Sequence, residues 1–403
     1  MSSSNTATGN KRSLLALIGV VLVGMTGFGV FLPVFPFLAL HVGASPMEAT
    51  WAMGAYSLGQ LISAPAWGRV SDRIGRKPVL MIGLIGGGLC YLWLAQAQTV
   101  IDVALARLAA GLMAGNVGAA FAAAADLADE KTRARNMGLL GASVGFAFIA
   151  GPFVGAMIAG ENPDAAGFDR ICIISACFAF AAALLALVLF RETKAAGAAS
   201  ADQPKTRFAL MLSKPALTRL FVVMLLMIVA QAAMETTFGL WADIQLDWGP
   251  RQVGWALAGL GFLSALLQGG VAGRAAQKLG ERLTLIIGLI ILAAAFGGLA
   301  MAKEAPMAMV ALCAIAIGVG LASPALQSLF AAEADHGDRG AIMGLSQSAG
   351  AMGRVLGPLF AGPLFGLHGH AAPYVLGVGL SLLALFFSFD ARPALSSEAT
   401  SSE

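Results

Sequence analysis

The sequence predicts an all-α membrane protein of twelve spans, arranged as two pseudo-symmetric six-helix bundles. Three observations carry that prediction. First, charged residues make up 12% of the chain against 58% apolar, with 50 glycines among 403 residues. Soluble domains carry roughly 25% charge, and here apolar runs of about 20 residues, the length that crosses a bilayer, recur from end to end. Second, the cationic stretch Trp67-Gly68-Arg69-Val70-Ser71-Asp72-Arg73-Ile74-Gly75-Arg76-Lys77-Pro78 interrupts two apolar runs and marks a polar hairpin between spans. Third, a weaker copy recurs about 205 residues later, from Gly273 to Arg282. Gly68, Arg69, Arg73, Gly75 and Lys77 meet Gly273, Arg274, Lys278, Gly280 and Arg282. One plan used twice, with a basic hairpin at the same place, is a transporter layout.

Taken in order, the spans are expected at 13–39, 47–67, 79–97, 100–125, 136–160, 169–190, 216–241, 252–272, 283–302, 305–331, 340–366 and 371–389. Lys11 and Arg12 precede the first, which runs to about Leu40 without a cleavage site, so it reads as a span rather than a removable leader. Gly54, Gly59, Gln60 and Pro65 make the second the least regular. The basic hairpin separates the second from the third, and its copy separates the eighth from the ninth. Residues 1–190 form one bundle, 191–215 a solvated linker holding Lys194, Lys205 and Arg207, and 216–403 the other. A short amphipathic helix is expected near Phe208 to Leu212, and disorder in the tails Met1–Asn10 and Ala394–Glu403. With the N-terminus in the cytoplasm, twenty lysines and arginines fall inside and only Arg170, Arg251 and Lys303 outside. Eleven or thirteen spans would scramble that positive-inside bias.

Several functions are excluded. Cys90, Cys172, Cys177 and Cys313 lie in apolar runs with neither disulfide nor metal-ligand spacing. The net charge of +3 comes from membrane-flanking cations and does not point to nucleic acid. No Walker-type loop is present, so ATP does not drive the protein. Neither an enzyme nor a cofactor is expected.

Glycine and proline mark moving helices. Gly141, Gly145, Gly151 and Gly155 lie on roughly one side of span five, where small residues let helices approach closely. Pro152 removes a backbone donor and bends the helix. Gly151-Pro152 and Gly357-Pro358 are 206 residues apart, the same period as the hairpins. Generic helix packing explains either segment alone; the shared period points to a repeated mechanical role at the seam between halves. In the hairpin, Arg73, Arg76 and Arg274 serve either as topology anchors or as gate residues. Asp72 is harder to assign to topology, because acids contribute little there. It is expected to pair with an arginine or cap a helix in one conformation, and it aligns with Gln277 in the second half.

Charges inside the bilayer are costly and functional. Glu235 sits in the outer half of span seven; facing a partly dry cavity it carries a proton or meets a cationic substrate, and otherwise it reaches external water. Arg107, in span four, either hydrogen-bonds across the bundle and influences proton release or snorkels to the surface. Arg354, near the middle of span eleven, needs a buried partner, an anionic substrate group or a water-filled cavity. Asp126 belongs to the inner gate and, with Asp72, is the alternative proton carrier. Gln60, Asn116, Gln231 and Gln347 are cavity candidates for hydrogen bonding, and Phe146, Phe238 and Trp241 for apolar surface, as are Phe28, Phe31, Phe35 and Trp255.

On these residues the chain resembles the major facilitator superfamily, in particular its twelve-helix drug:proton antiporter branch of tetracycline and multidrug exporters. Gly68 through Lys77 is similar to the family's loop motif, Arg107 through Gly115 to its span-four motif, and Gly141 through Gly155 to the span-five motif of exporters. Leu32-Pro33-Val34-Phe35-Pro36 and Ala125-Asp126-Leu127 resemble the tetracycline/proton antiporters. Such exporters carry an acid in span one, where this chain has Gly24-Met25-Thr26-Gly27; Glu235 resembles the span-seven acid of some multidrug exporters instead. The resemblance implies a major facilitator fold and a monomer in a bacterial inner membrane. It also implies proton-coupled export of amphipathic, drug-like molecules by alternating access. The alternative is export or flipping of an endogenous lipid-like amphiphile or metabolite.

Overall fold

A computed structural model describes residues 2–128, 132–160, 165–193, 214–333 and 339–389. The linker from 194 to 213, the C-terminal tail and the acidic-basic run 129–131 lie outside them. The twelve spans are helices: span one Ser2–Phe31, two Pro46–Ile74, three Arg76–Ala95, four Val100–Leu112 with Asn116–Asp126, five Arg133–Ala159, six Ala165–Leu189, seven Pro215–Leu246. Span eight is Pro250–Leu266 continued through a π turn at Leu267–Val271 into Ala272–Leu279, nine is Glu281–Met301, ten Ala305–Ala332, eleven Arg339–His368 and twelve Ala372–Phe389. Helix already begins at Ser2, where a loose tail was expected; no proline stands between there and the first apolar run. Among the described residues ten candidate spans are long and apolar enough to cross a membrane; two and eleven are not among them. Their Gly, Ser, Gln and charged residues lower hydropathy because these two helices face each other across the molecule rather than only lipid.

Two spans are broken, each for a local reason. Span one stops at Phe31 and restarts as a short helix, Phe35–His41, because Pro33 and Pro36 lack backbone donors. Span four is interrupted at residues 113–115. A carbonyl freed inside a bilayer must find another donor. Here Trp67 Nε1 donates to the Leu112 carbonyl at 2.6 Å and Ser63 Oγ to the Gly111 carbonyl at 3.3 Å, both from span two. That approach is close enough that a β-carbon at Gly59 would stand 2.8 Å from the Leu112 nitrogen.

Packing repeats between halves. Span one packs on five and six, two on four, and three on six; span seven packs on eleven and twelve, eight on ten, and nine on twelve. Across the halves, two meets eleven and five meets eight. The span-five glycines serve their own half: a β-carbon at Gly151 or Gly155 would strike Gly29 or Val30 of span one. Gly353 and Gly357 do the same for Ile228 and Ala232 of span seven. Pro358 turns its ring to the other half, against Gly54, whereas the Pro152 ring lies against Gly29 of its own half and only its carbonyl meets Gly254.

Every one of these cross-half contacts lies away from the basic hairpins. Gly362 is held against Met47, Thr50 and Trp51, Gly261 against Phe148 and Ile149, and the rings of Phe153 and Trp255 meet edge-on at 4.7 Å. Toward the hairpin end, Gly141 and Gly145 of span five and Gly269 and Gly273 of the eighth have nothing within 4 Å of a built β-carbon. The halves are sealed at the far end and parted at the hairpin end.

Candidate functional site

The seam between halves carries a small cluster of charge at mid-depth. Span seven presents Gln231 and Glu235 one helical turn apart, so both fall on one face. Gln231 Nε2 donates to Glu235 Oε1 at 2.8 Å, and both side chains are half-buried. Arg354 of span eleven lies within electrostatic range of Glu235 and of Tyr56 on span two. It is solvent-exposed, and its guanidinium lies back over Gly350, 3.6 Å from where a β-carbon there would sit, toward the parted end. An exposed arginine that feels groups from both halves faces the space between them and not lipid. Together these side chains can hold a proton, a cation and an anion at the seam between the halves.

Arg107 adjoins this cluster but is walled off from it, with 2% of its surface exposed. Its guanidinium carbon lies 5.9 Å from the Phe28 ring centre, 5.4 Å from Phe31, 5.1 Å from Phe35 and 4.7 Å from Tyr56. Nη2 points at the Met53 sulfur at 3.7 Å, and Nε and Nη1 have no hydrogen-bond partner among the described residues. Each desolvated cation–π contact contributes up to about 2 kcal/mol, so π faces stand where span one offers no acid. Phe28, Phe31 and Phe35, read from sequence as cavity surface, form this box. Arg107 does not snorkel, and among the described residues it meets no carboxylate.

The hairpin end holds a denser network. Arg76, buried, donates from Nη1 to Asp72 Oδ1 at 2.8 Å and to Ser71 Oγ at 3.0 Å, and from Nε to Asp126 Oδ2 at 2.9 Å. The expected Asp72–arginine pair is therefore made, and Asp126 of span four joins it. Glu192, which the sequence reading passed over, completes it: its carboxylate accepts the backbone amides of Arg76 and Lys77, each at 2.9 Å. These are the first donors of span three, left open at any helix start. Glu192 was legible only as one charge after an apolar run, beside Arg191, with nothing in the spacing to tie it to residue 76. Gly75 permits the turn with φ 102°, and a side chain there would collide with Glu192.

The remaining candidates scatter. Phe146 and Gln347 are exposed on spans five and eleven, and Gln60 is half-buried on span two. Asn116 sits in the contact between spans three and four, against Gly83. Phe238 and Trp241, expected at the cavity, are core side chains of the second half instead. They stack at 6.0 Å, and Trp241 meets Tyr374 of span twelve edge-on at 5.6 Å. Helical spacing puts them a turn or so beyond Glu235, on the face that span twelve covers. Gly68, Arg73 and Arg274 are exposed.

The family profile described as Major Facilitator Superfamily matches residues 17–249 and 225–403. The chain belongs to the major facilitator superfamily. It is 30% identical over 396 residues to the class B tetracycline resistance protein of Escherichia coli, covering 94% of this chain and 95% of that one. It is 24% identical over 375 residues to the quinolone resistance protein NorA of Staphylococcus aureus, covering 93% and 94%. Among solved structures, a bacterial homolog of the human lysosomal transporter Spinster, inward-facing and occupied, superposes with a TM-score of 0.75 at 16% identity, covering 94% and 96%. The protein is thus a multi-pass transporter of the superfamily rather than an enzyme.

Proposed function

We propose that the protein is a proton-coupled antiporter that exports amphipathic, drug-like small molecules by alternating access. In this reading it works as a monomer in a bacterial cytoplasmic membrane, hairpins and termini inside, driven by the proton gradient without a cofactor. The observation that carries it is Glu235: a carboxylate at mid-depth, held by Gln231, on the seam and within range of Arg354. The chain's relatives among tetracycline and quinolone resistance proteins support drug-like substrates.

With the hairpins inside, the state described is open to the cytoplasm. A substrate enters between the parted halves and meets ionised Glu235. Rocking of the halves opens the far seal and closes the hairpin end. A proton from outside then neutralises Glu235, the attraction for a cationic group is lost, and substrate leaves. The sign follows: affinity for a cationic substrate falls as pH falls through the titration of Glu235, whose charged neighbour is Arg354.

The test is reconstitution in liposomes with an imposed pH gradient. Glu235→Gln keeps shape and hydrogen bonding but cannot titrate. It is expected to bind at least some substrates, with flat pH dependence, and to lose uphill export. Uphill export equal to wild type would overturn the assignment.

A further inference from the structure

Resting on the reading of this cleft as the substrate site, we infer that its substrate is zwitterionic, with the anionic group seated on Arg354 and the cationic group on Glu235. Glu235 and Arg354 feel each other across spans seven and eleven, yet they do not close into a salt bridge; the Glu235 carboxylate is held by Gln231 instead. Arg354 is exposed and makes no hydrogen bond or ion pair with any described residue. An acid and a base that share a cavity without pairing leave each free for a ligand group.

The third deep charge, Arg107, is closed off by Phe28, Phe31, Phe35 and Tyr56 and does not compete. The carboxylates of Asp72 and Asp126 are engaged by Arg76 at the hairpin end. A purely cationic ligand at Glu235 would sit beside an uncompensated arginine, and a purely anionic ligand at Arg354 beside an uncompensated glutamate. A ligand carrying both charges satisfies both. Its apolar body has Tyr56, partly exposed on span two beside Phe28, to lie against. The guanidinium presents a planar fork suited to a carboxylate or phosphate group, and charge-assisted pairs of this kind are the strong ones.

The experiment measures binding to the purified full-length protein in detergent, at fixed neutral pH, by ligand fluorescence or calorimetry. The probes are matched triads. Each comprises a zwitterion, its carboxylate methyl ester (cationic) and its N-acetyl derivative (anionic), built on a fluoroquinolone, an aminoacyl-naphthylamine carboxylate and a long-chain N-alkyl amino acid. At least one zwitterion is expected to outbind both of its own derivatives by on the order of tenfold. Arg354→Gln is expected to reduce that zwitterion to the level of its ester while leaving the ester unchanged or tighter. Glu235→Gln should reduce it to the level of the N-acetyl form while leaving that form unchanged or tighter. Arg354→Lys, which keeps the charge, should retain part of the preference and covers the case in which the glutamine variant fails to fold. If no zwitterion exceeds its own ester and amide in the wild type, or if all three forms fall together in both variants, the inference is overturned. Proton-driven export of the cationic esters alone would sink it while leaving the proposed antiport intact.

Discussion

The two hairpins share a backbone and differ in chemistry. Each turns on a glycine of positive φ, Gly75 at 102° and Gly280 at 80°, and helix resumes at the next residue. A lysine or arginine at the second position ties the new helix to a neighbour: Lys77 Nζ donates to the Leu187 carbonyl at 2.7 Å, and Arg282 Nε to the Ser388 carbonyl at 3.2 Å. The first position inverts. Arg76 runs into a three-oxygen cluster of Ser71, Asp72 and Asp126. Its counterpart Glu281, a carboxylate favoured at a helix N-terminus, accepts from Ser328. The position 206 after Asp126 is Ala332. Where the first half is filled by its ion cluster, the second keeps a cavity of about 480 Å³ lined by Leu220, Glu281, Arg282, Ile286 and Leu329. Duplication preserved the hinge and not the clamp. The first hairpin is built as a stiff lever that carries spans two, three, four and six together, and the second is not.

The largest break in that comparison comes from Arg76→Met. Removing one member of a buried charged network costs about 3 kcal/mol even where its partners keep some water. Glu281→Gln leaves Ser328 a hydrogen-bond acceptor and costs about 1 kcal/mol or less. Thermal unfolding of the detergent-solubilised variants should separate the two by several degrees. Equal losses would mean that both hairpins are clamped alike.

A finer test uses the shared glycines. An alanine at either position takes on the strain of a positive φ, roughly 1–2 kcal/mol. Gly75→Ala also drives its β-carbon into Glu192, whereas Gly280 has open space around it. The first substitution should therefore cost more, and Glu192→Gln should lose about 1 kcal/mol by weakening the two amide contacts at the start of span three. In the double variant Gly75→Ala with Glu192→Ala the excess cost should disappear. If Gly75→Ala and Gly280→Ala unfold together, Glu192 does not hold the turn.

What the sequence made legible follows from which forces leave a period. Spans, hairpins and the Gly-Pro pairs repeat, because bilayer thickness and helix geometry act on every segment alike, and the structure bears out the twelve-helix fold. Within spans, a buried charge is conspicuous, so Glu235, Arg107 and Arg354 could be singled out. Their partners across the bundle could not be, since Tyr56 and Met53 come from another helix at no fixed spacing. Phe238 and Trp241 were placed at the cavity because an aromatic near an acid looks the same whether it lines a cleft or plugs a core. Only the position of span twelve decides between them. The break in span four was likewise hidden: Gly111 and Gly115 signal close packing, but the rescue of the Leu112 carbonyl by Trp67 is a contact between helices.

The smallest expected effect asks whether the inequality reaches the far end, where two tryptophans 204 residues apart close the two seams. Pro363 has no backbone donor, so the Leu359 carbonyl one turn earlier is left open. Trp51 Nε1 reaches it across the halves at 3.5 Å, a long bond. Span five has no second proline after Pro152, and there Trp255 meets the Phe153 ring edge-on, at 4.7 Å and 85°, without a hydrogen bond to it. Trp51→Phe removes this polar tie, about 0.5 kcal/mol for a bond of that length, and should raise the population open at the far end about twofold. Trp255→Phe keeps an aromatic edge-to-face pair and should shift it less. Distances between spin labels on far-end loops of opposite halves report that population directly. A larger shift for Trp255→Phe would show that ring packing, and not the carbonyl freed by Pro363, holds the seal.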